Sequence, residues 1–184
     1  EKDAKLASVK NVVMIQCVGS RDKERPYCSR YCCSEAIKNA LELKEADPSR
    51  DITILYRDIR TFAFKEDYYK KAREANIKFI CYEEDRKPEV VAAGDKAEVK
   101  VFDPILNEQV SLPADLVALS VGVVPNPENA AIGNMLKVPT NQDGFFMEAH
   151  VKLRPVDFAT DGVFMCGMSH SPKFSDETVT QANA

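Results

Sequence analysis

Residues 11–33 read NVVMIQCVGSRDKERPYCSRYCC, and this stretch decides the fold. Asn11–Val18 is apolar with little interruption and rich in Val and Ile. A run of that length without alternation suits a strand covered on both faces, as strands of parallel sheets are. Gly19-Ser20 ends it, and residues 21–27 are polar with a proline, so they read as a loop. A helix is predicted from about Ser29 to Ala46, where Ala36, Ile37, Ala40 and Leu41 form an apolar stripe at helical spacing. Asp47-Pro48 stops it, because the residue before a proline is pushed out of the helical region.

Working outward, Asp51–Tyr56 (DITILY) is a second strand, residues 65–76 an amphipathic helix and residues 77–82 a third strand. Strand, helix, strand, helix, strand points to parallel pairing with right-handed crossovers. The middle changes character. Residues 90–92, 96–102 and 109–112 are short, β-rich and broken by Gly94, Pro104 and Pro113, which predicts a small antiparallel meander inserted in the α/β unit. Residues 115–121 (DLVALSV) read as another buried parallel strand, followed by Gly122 and a Pro-Asn-Pro turn. Short strands are expected at 145–148 and at 162–166 (GVFMC), and the start of a helix at 175–184. No internal repeat or low-complexity segment is visible.

The bulk numbers set bounds. With 184 residues the chain holds one domain, or one domain and part of another. Hydrophobic residues make up 45% and charged ones 29%, a globular balance. The formal charge of −4 is mixed along the chain, which gives no electrostatic reason to expect nucleic acid as a partner. No apolar run approaches the ~20 residues of a membrane span, so no direct membrane insertion is expected. The first ten residues are charged and lack the apolar core of a signal peptide. These features, with the absence of an initiator Met, lead to the expectation of an internal piece of a longer cytoplasmic protein.

Four of the six cysteines fall between Cys17 and Cys33, spaced Cys17-x10-Cys28-x3-Cys32-Cys33. A secreted disulfide framework does not fit a chain of this size, and clustered cysteines in a reducing compartment point to metal or redox chemistry. Cys17 stands at a strand end and the others in the loop and first helical turn after it. That strand-end crevice is where parallel α/β sheets bind ligands. On a helix, Cys28 and Cys32 would share a face, with Cys33 rotated by roughly a third of a turn. A four-cornered iron–sulfur cluster accepts that divergence and takes four thiolates. A helix N-terminus and Arg21, Arg25 and Arg30 would stabilise its negative charge and raise its potential. Two other readings stay open: buried thiols with no ligand, and tetrahedral zinc. Neither the adjacent pair nor the ten-residue gap matches common zinc-finger spacing.

The remaining candidates read more plainly. Cys81 and Cys166 each sit in an apolar strand pattern and are expected to be structural. His150 and His170 are the two histidines; His170 lies in a Gly/Ser/Pro loop and is expected to be solvated. Tyr68-Tyr69 suits packing, residues 83–87 a solvated turn, and residues 22–25 a charged loop facing a partner protein.

Residues 15–41, IQCVGSRDKERPYCSRYCCSEAIKNAL, resemble a segment of the heterodisulfide reductase A-subunit family, including the related flavoprotein subunits of the quinone-interacting complexes of sulfate reducers. Residues 115–128 (DLVALSVGVVPNPE) and 161–184 (DGVFMCGMSHSPKFSDETVTQANA) resemble the same family and the wider thioredoxin-reductase-like flavoproteins. The cysteine segment is the specific one.

The resemblance implies an α/β fold of thioredoxin-reductase type. Residues 9–122 would be a three-layer nicotinamide-domain-like unit with a small antiparallel β meander, carrying the cysteines. Residues 123–184 would be the return into an incomplete FAD-binding domain. It implies an oxidoreductase subunit that passes electrons between FAD and iron–sulfur clusters. Cys17, Cys28, Cys32 and Cys33 would ligate a 4Fe-4S cluster. Gly167 and Met168 would lie near the flavin phosphates, and Thr178 and Gln181 near its ring. Expected partners are the other heterodisulfide reductase-type subunits, with a hydrogenase or a membrane quinone module.

The sequence also departs from the nicotinamide pattern. Where Gly-x-Gly-x-x-Gly should follow the first strand stands QCVGSRD, with one glycine, and then the cysteines. Bulky side chains there keep a pyrophosphate from the backbone, so nicotinamide binding is expected to be lost. The first FAD glycine motif and the ferredoxin-type cysteine runs of the family are absent from the chain. A nicotinamide-dependent disulfide reductase with redox-active cysteines, and a zinc-bound docking scaffold, are the alternative functions.

Overall fold

Asn11–Val18 forms β1, and its six central residues are all buried, as its apolar run predicts. The computed structural model describes residues 7–184, so part of the charged start, residues 1–6, lies outside them. The other strands of the main sheet are β2 (Asp51–Tyr56), β3 (Lys78–Cys81) and β7 (Leu116–Val121). Their order is β3-β2-β1-β7, and every pairing is parallel. A second sheet, β4 (Glu89–Ala93), β5 (Lys96–Asp103) and β6 (Glu108–Ala114), is antiparallel throughout. This is the expected meander. Pro113 lies inside β6, where an edge strand tolerates the missing N–H.

By internal contacts the chain divides into two units. The first runs to residue 22 and resumes from 32 to 121; the second holds 23–31 and 122–184. The first unit is three layers. On one face of the parallel sheet, Val12, Met14, Ile52 and Ile54 meet Ile37 and Ala40 of α1 (Cys32–Ala46) and Ala72 of α2 (Glu66–Glu74). On the other face, Val13, Ile15 and Leu55 meet Val99 and Val101 of β5 and Ala114 of β6. Alternate residues of β1 thus serve two cores, which is why its sequence shows no polar alternation. β7 departs from expectation: it is parallel, but Leu119 and Val121 are 52% and 63% exposed, because it forms the edge of the sheet.

The second unit is held by Val138, Phe146, Phe158 and Met165, with the Phe146 and Phe158 rings edge to face at 5.6 Å. It contains α3 (Asn129–Leu136), which the sequence reading missed, and α4 (Ser175–Asn183). The strands expected at 145–148 and 162–166 are only single bridges, Thr140 with Phe146 and Asp157 with Phe164. Gly162 and Gly167 bracket the latter in left-handed conformations (φ 78° and 74°), so extended backbone cannot run on past either end. Among the described residues, no helix is long and apolar enough to cross a membrane.

Candidate cofactor site

The end of β1 is irregular. Its pairing with β7 slips between Ile15 and Val18, and Cys17 takes a left-handed conformation with φ 59°. For a residue with a Cβ that costs about 1–2 kcal/mol, and such positions concentrate at functional sites. Gly19 and Arg21 are left-handed too (φ 66° and 59°), so the chain turns sharply out of the sheet. α1 then opens with Cys32 and Cys33, both buried.

These thiols have polar company. Arg21 Nη1 donates to Cys17 Sγ at 3.9 Å, and its Nη2 pairs with Asp58 at 2.5 Å. The Cys33 thiol meets the Asp58 carbonyl oxygen at 3.6 Å. A hydrogen bond from Cys32 pulls the Cys33 thiol down to about 7; the Arg60 backbone N–H and the charges of Arg21 and Arg60 add to this, against the opposing effect of burial. A thiol so acidified is partly thiolate at neutral pH, the form that binds metals.

Gln16, the residue before Cys17, is fully buried, and both its side-chain nitrogen and oxygen lack a hydrogen-bond partner. Ser34 Oγ, in the first turn of α1, is a third buried polar atom without one. Gln16 has the strand parity of Val12 and Met14, the face on which α1 packs. Thiols and buried polar atoms without partners thus lie along the same stretch, the end of β1 and the start of α1.

Cys28 falls in the segment grouped with the second unit. It is not on the helix. α1 begins at Cys32, and Arg30 takes φ 63°, so the predicted shared face of Cys28 and Cys32 does not form. Other bonds hold the residues before it: Ser29 Oγ accepts from Val123 N and the Tyr27 hydroxyl donates to Val123 O, both distant in sequence, and Arg30 N donates to Cys28 Sγ at 3.2 Å. All six cysteines are thiols rather than disulfides. Among the described residues, no three His, Cys, Asp or Glu side chains are gathered at metal-ligating spacing; the thiols turn to protein partners instead.

Of the other sulfur and cation candidates, Arg25 approaches Glu24 at 3.8 Å and Arg30 pairs with Glu177 at 2.7 Å. Cys81 lies in β3, donates to the Arg57 carbonyl at 3.6 Å, and burial pushes its thiol up. Cys166 corrects an expectation: it is exposed and outside any strand.

In the second unit the predicted flavin residues form one local arrangement. Gly167 N donates to Gln181 Oε1 at 2.9 Å, and a Cβ on Gly167 would stand 3.2 Å from the Thr178 methyl. Met168 Sδ accepts from Lys173 N at 3.4 Å. His170, expected to be solvated, is held on both nitrogens: Nε2 by Glu148 at 2.8 Å, and Nδ1 by Gln181 Nε2 at 2.9 Å and Lys173 Nζ at 3.1 Å. Its own backbone N–H and the His170 bond hold the Glu148 carboxyl below its usual range, and burial lowers the Lys173 ammonium. An open groove of about 540 Å³ is lined here by Arg30, His170, Lys173, Glu177, Thr180 and Gln181. Its two cations, Arg30 and Lys173, are matched by two carboxylates, Asp176 and Glu177, and Arg30 is already paired with Glu177.

The fold is that of the thioredoxin reductases. It matches the T. acidophilum enzyme with a TM-score of 0.58 and 20% identity, covering 94% of this chain and 49% of that one. The Lactococcus lactis enzyme matches with a TM-score of 0.60 and 18% identity, over 97% and 52%. No protein-family model matches. Among curated proteins, the A-subunit of the ferredoxin:CoB-CoM heterodisulfide reductase of Methanosarcina acetivorans is 44% identical over 177 residues, 94% of this chain and 22% of that protein. The iron-sulfur A-subunit of the CoB–CoM heterodisulfide reductase of Methanocaldococcus jannaschii is 43% identical over 180 residues, 93% and 26%. The A-subunit of the H(2):CoB-CoM heterodisulfide,ferredoxin reductase of Methanothermobacter marburgensis is 42% identical over 180 residues, 95% and 27%. The resemblance to the heterodisulfide reductase A-subunit family therefore extends over nearly all of this chain, which spans about a quarter of the length of these relatives.

Proposed function

We propose that this chain is the cluster- and flavin-bearing segment of an oxidoreductase subunit of heterodisulfide reductase type. Residues 9–122 are the nicotinamide-domain-like unit that carries the cysteines, and residues 123–184 the part that returns to the FAD domain. Cys17, Cys28, Cys32 and Cys33 hold an iron–sulfur cluster of the 4Fe-4S kind. Gly167, Met168, Thr178 and Gln181 serve FAD. The observation that carries this reading is the irregular end of β1, where the buried Cys17 thiol accepts from the Arg21 guanidinium, together with the buried Cys32 and Cys33 thiols that open α1, Cys33 acidified by its bond from Cys32. Cys28 precedes Cys32 by four residues, which limits its distance to about 14 Å of extended chain.

Bound there, a cluster supplies single-electron transfer and FAD the coupling to two-electron chemistry. The chain's own part is placement and tuning. Arg21 offsets negative charge at Cys17, and Cys33, lowered to about 7 by its bond from Cys32, supplies thiolate near neutral pH. Arg30 and Lys173 are the cations of the groove in the second unit, balanced there by Asp176 and Glu177. The partners are the other subunits of a heterodisulfide reductase-type complex, in the cytoplasm, with a hydrogenase or a membrane quinone module as the neighbouring electron source or sink.

Anaerobic reconstitution with iron and sulfide tests this. A brown chain with broad visible absorbance and equal iron and sulfide supports it. A colourless chain holding one zinc ion identifies a docking scaffold instead. Colourless protein with a Cys28–Cys32 or Cys32–Cys33 disulfide that nicotinamide reduces identifies the disulfide reductase.

A further inference from the structure

We infer that His170 is a positioning residue whose bare Nδ1 fixes the Gln181 amide, and that a proton arriving on Nδ1 breaks the bond between Gly167 and α4. The inference lies entirely within the second unit and holds whether or not FAD binds there.

The directions of the hydrogen bonds follow from one group that can only donate. The Gly167 backbone N–H gives its hydrogen to Gln181 at 2.9 Å, so the amide oxygen Oε1 faces it and Nε2 points elsewhere. Which way a glutamine amide points is settled by its partners, and this partner is unambiguous. Gln181 Nε2 stands 2.9 Å from His170 Nδ1 and can only give a hydrogen to it. Lys173 Nζ is 3.1 Å from the same nitrogen, and an ammonium also only gives. Nδ1 is therefore an acceptor and carries no hydrogen. The ring hydrogen sits on Nε2 and is donated to Glu148 Oε2 at 2.8 Å. A chain of bonds thus runs from Glu148 through His170 and Gln181 to Gly167, and ties the tight turn Gly167–Ser169 to α4.

Protonation at Nδ1 reverses this order. An Nδ1–H would face the Gln181 N–H₂ and the Lys173 ammonium, two donors and a like charge within 3.1 Å. The Gln181 amide can then turn over, which sets its N–H₂ against the Gly167 N–H, or swing away from the ring, which carries Oε1 off with it. Either movement releases Gly167. The charged groups around the ring pull both ways: Glu148 at Nε2 favours the proton and Lys173 at Nδ1 opposes it. Lys173 is 8% exposed and is held by Ser171 Oγ at 3.2 Å, so it cannot easily retreat. Glu177, Arg30 and the Cys166 thiol act on Lys173 in turn, and Asp176 lines the same groove.

The test is NMR of the full ¹⁵N-labelled chain, titrated from about pH 8 to about pH 5, the span in which an imidazole takes up its proton. At the upper end the His170 ring should show a protonated Nε2 and a bare Nδ1. On acidification the ring and the Gly167 amide should change with one shared midpoint. Exchange of that amide with solvent, corrected for the direct effect of pH, should rise about tenfold, as for the loss of one hydrogen bond. His170→Asn offers an acceptor oxygen near the place of Nδ1 that takes up no proton, so the Gly167 amide should stay protected and lose its pH dependence. His170→Leu should leave that amide unprotected throughout. A proton on Nδ1 at pH 8, a ring that takes up no proton down to pH 5, or a Gly167 amide unmoved while the ring titrates would each overturn the inference, as would a His170→Asn chain that titrates like the wild type. If the variants fail to fold, the wild-type titration decides alone. None of these readouts involves iron, sulfide or flavin, so their failure is distinct from that of the proposed function.

Discussion

Arg21 reaches the Cys17 sulfur at 3.9 Å with one guanidinium nitrogen and holds Asp58 at 2.5 Å with the other. The cation is thus shared between a proposed cluster ligand and a carboxylate, and its field at the sulfur is partly offset. Two substitutions at this pair should act in opposite directions. Arg21→Leu removes positive charge beside the cluster and should lower its potential by up to about tenfold in the reduction equilibrium, ~59 mV. Asp58→Asn removes the competing anion and should raise it. Redox titration of both variants checks the signs; two shifts of the same sign would contradict the pairing.

The cysteines divide into two classes. Cys17→Ser, Cys28→Ser, Cys32→Ser and Cys33→Ser should each lose most of the iron and sulfide on reconstitution, because a cluster takes four thiolates. Cys81→Ser and Cys166→Ser should keep both. Cys81 turns its sulfur to the Arg57 carbonyl and Cys166 is exposed beyond any strand. Iron content that falls for Cys81→Ser as it does for Cys33→Ser would redraw the site.

The contrast between β1 and β7 indicates what the sequence could tell. An unbroken apolar run encodes two-sided burial, and Asn11–Val18 has it in fact. The run at 115–121 looks the same, yet β7 has one strand beside it, so Leu119 and Val121 face outward. Composition does not record strand order. The four cysteines were legible as a group from spacing, but the start of α1 was not. Before it, Ser29 and Tyr27 bond Val123, almost a hundred residues away in sequence, and Arg30 is left-handed. Gln16 was invisible for a related reason: within NVVMIQCV it is one polar residue in a strand, and its lack of partners exists only once the surrounding layers are in place. The bonds on both nitrogens of His170 likewise join residues from three separate stretches.

The helix face of the parallel sheet should govern stability. Ile37 is fully buried on α1 and packs in the cluster with Ile52, Ile54 and Met14. Ile37→Ala should cost about 2–5 kcal/mol through lost burial and a cavity. A denaturant midpoint that falls with an unchanged slope would match this; a loss below about 1 kcal/mol would mean that the layer closes over the gap.

Asp115 clamps the other end of the sheet. Its Oδ2 accepts from Lys10 N at 2.9 Å and Asn11 N at 2.8 Å, and its Oδ1 pairs with Lys96 at 2.8 Å. Lys96 first, then the two backbone N–H groups, hold its carboxyl well below the usual carboxylate range. A group with a lowered folded value contributes stability that is complete above its unfolded pKa of about 3.9 and is lost as the pH falls through the folded value. Stability should therefore be level in this respect from neutrality to about pH 5 and should fall below about pH 4. Asp115→Asn should lower the midpoint at neutral pH and flatten the acid limb, which denaturation at both ends of that range measures.

Gly167 combines two constraints that can be separated. Its φ of 74° belongs to the left-handed region, where an added Cβ costs about 1–2 kcal/mol whatever surrounds it. That Cβ would also stand 3.2 Å from Thr178 Cγ2, tighter than ordinary contact, on the helix that carries Gln181. Gly167→Ala should therefore destabilise the second unit and displace α4, weakening the bond from Gly167 N to Gln181 Oε1. Thr178→Ser removes the methyl and keeps the hydroxyl that donates to the Phe174 carbonyl at 3.1 Å. The double variant Gly167→Ala/Thr178→Ser should recover the steric part of the loss and leave the backbone part. Denaturation midpoints of the two single variants and the double variant give the coupling directly. Strict additivity would show that the methyl contact contributes nothing and that backbone conformation alone demands glycine at this position.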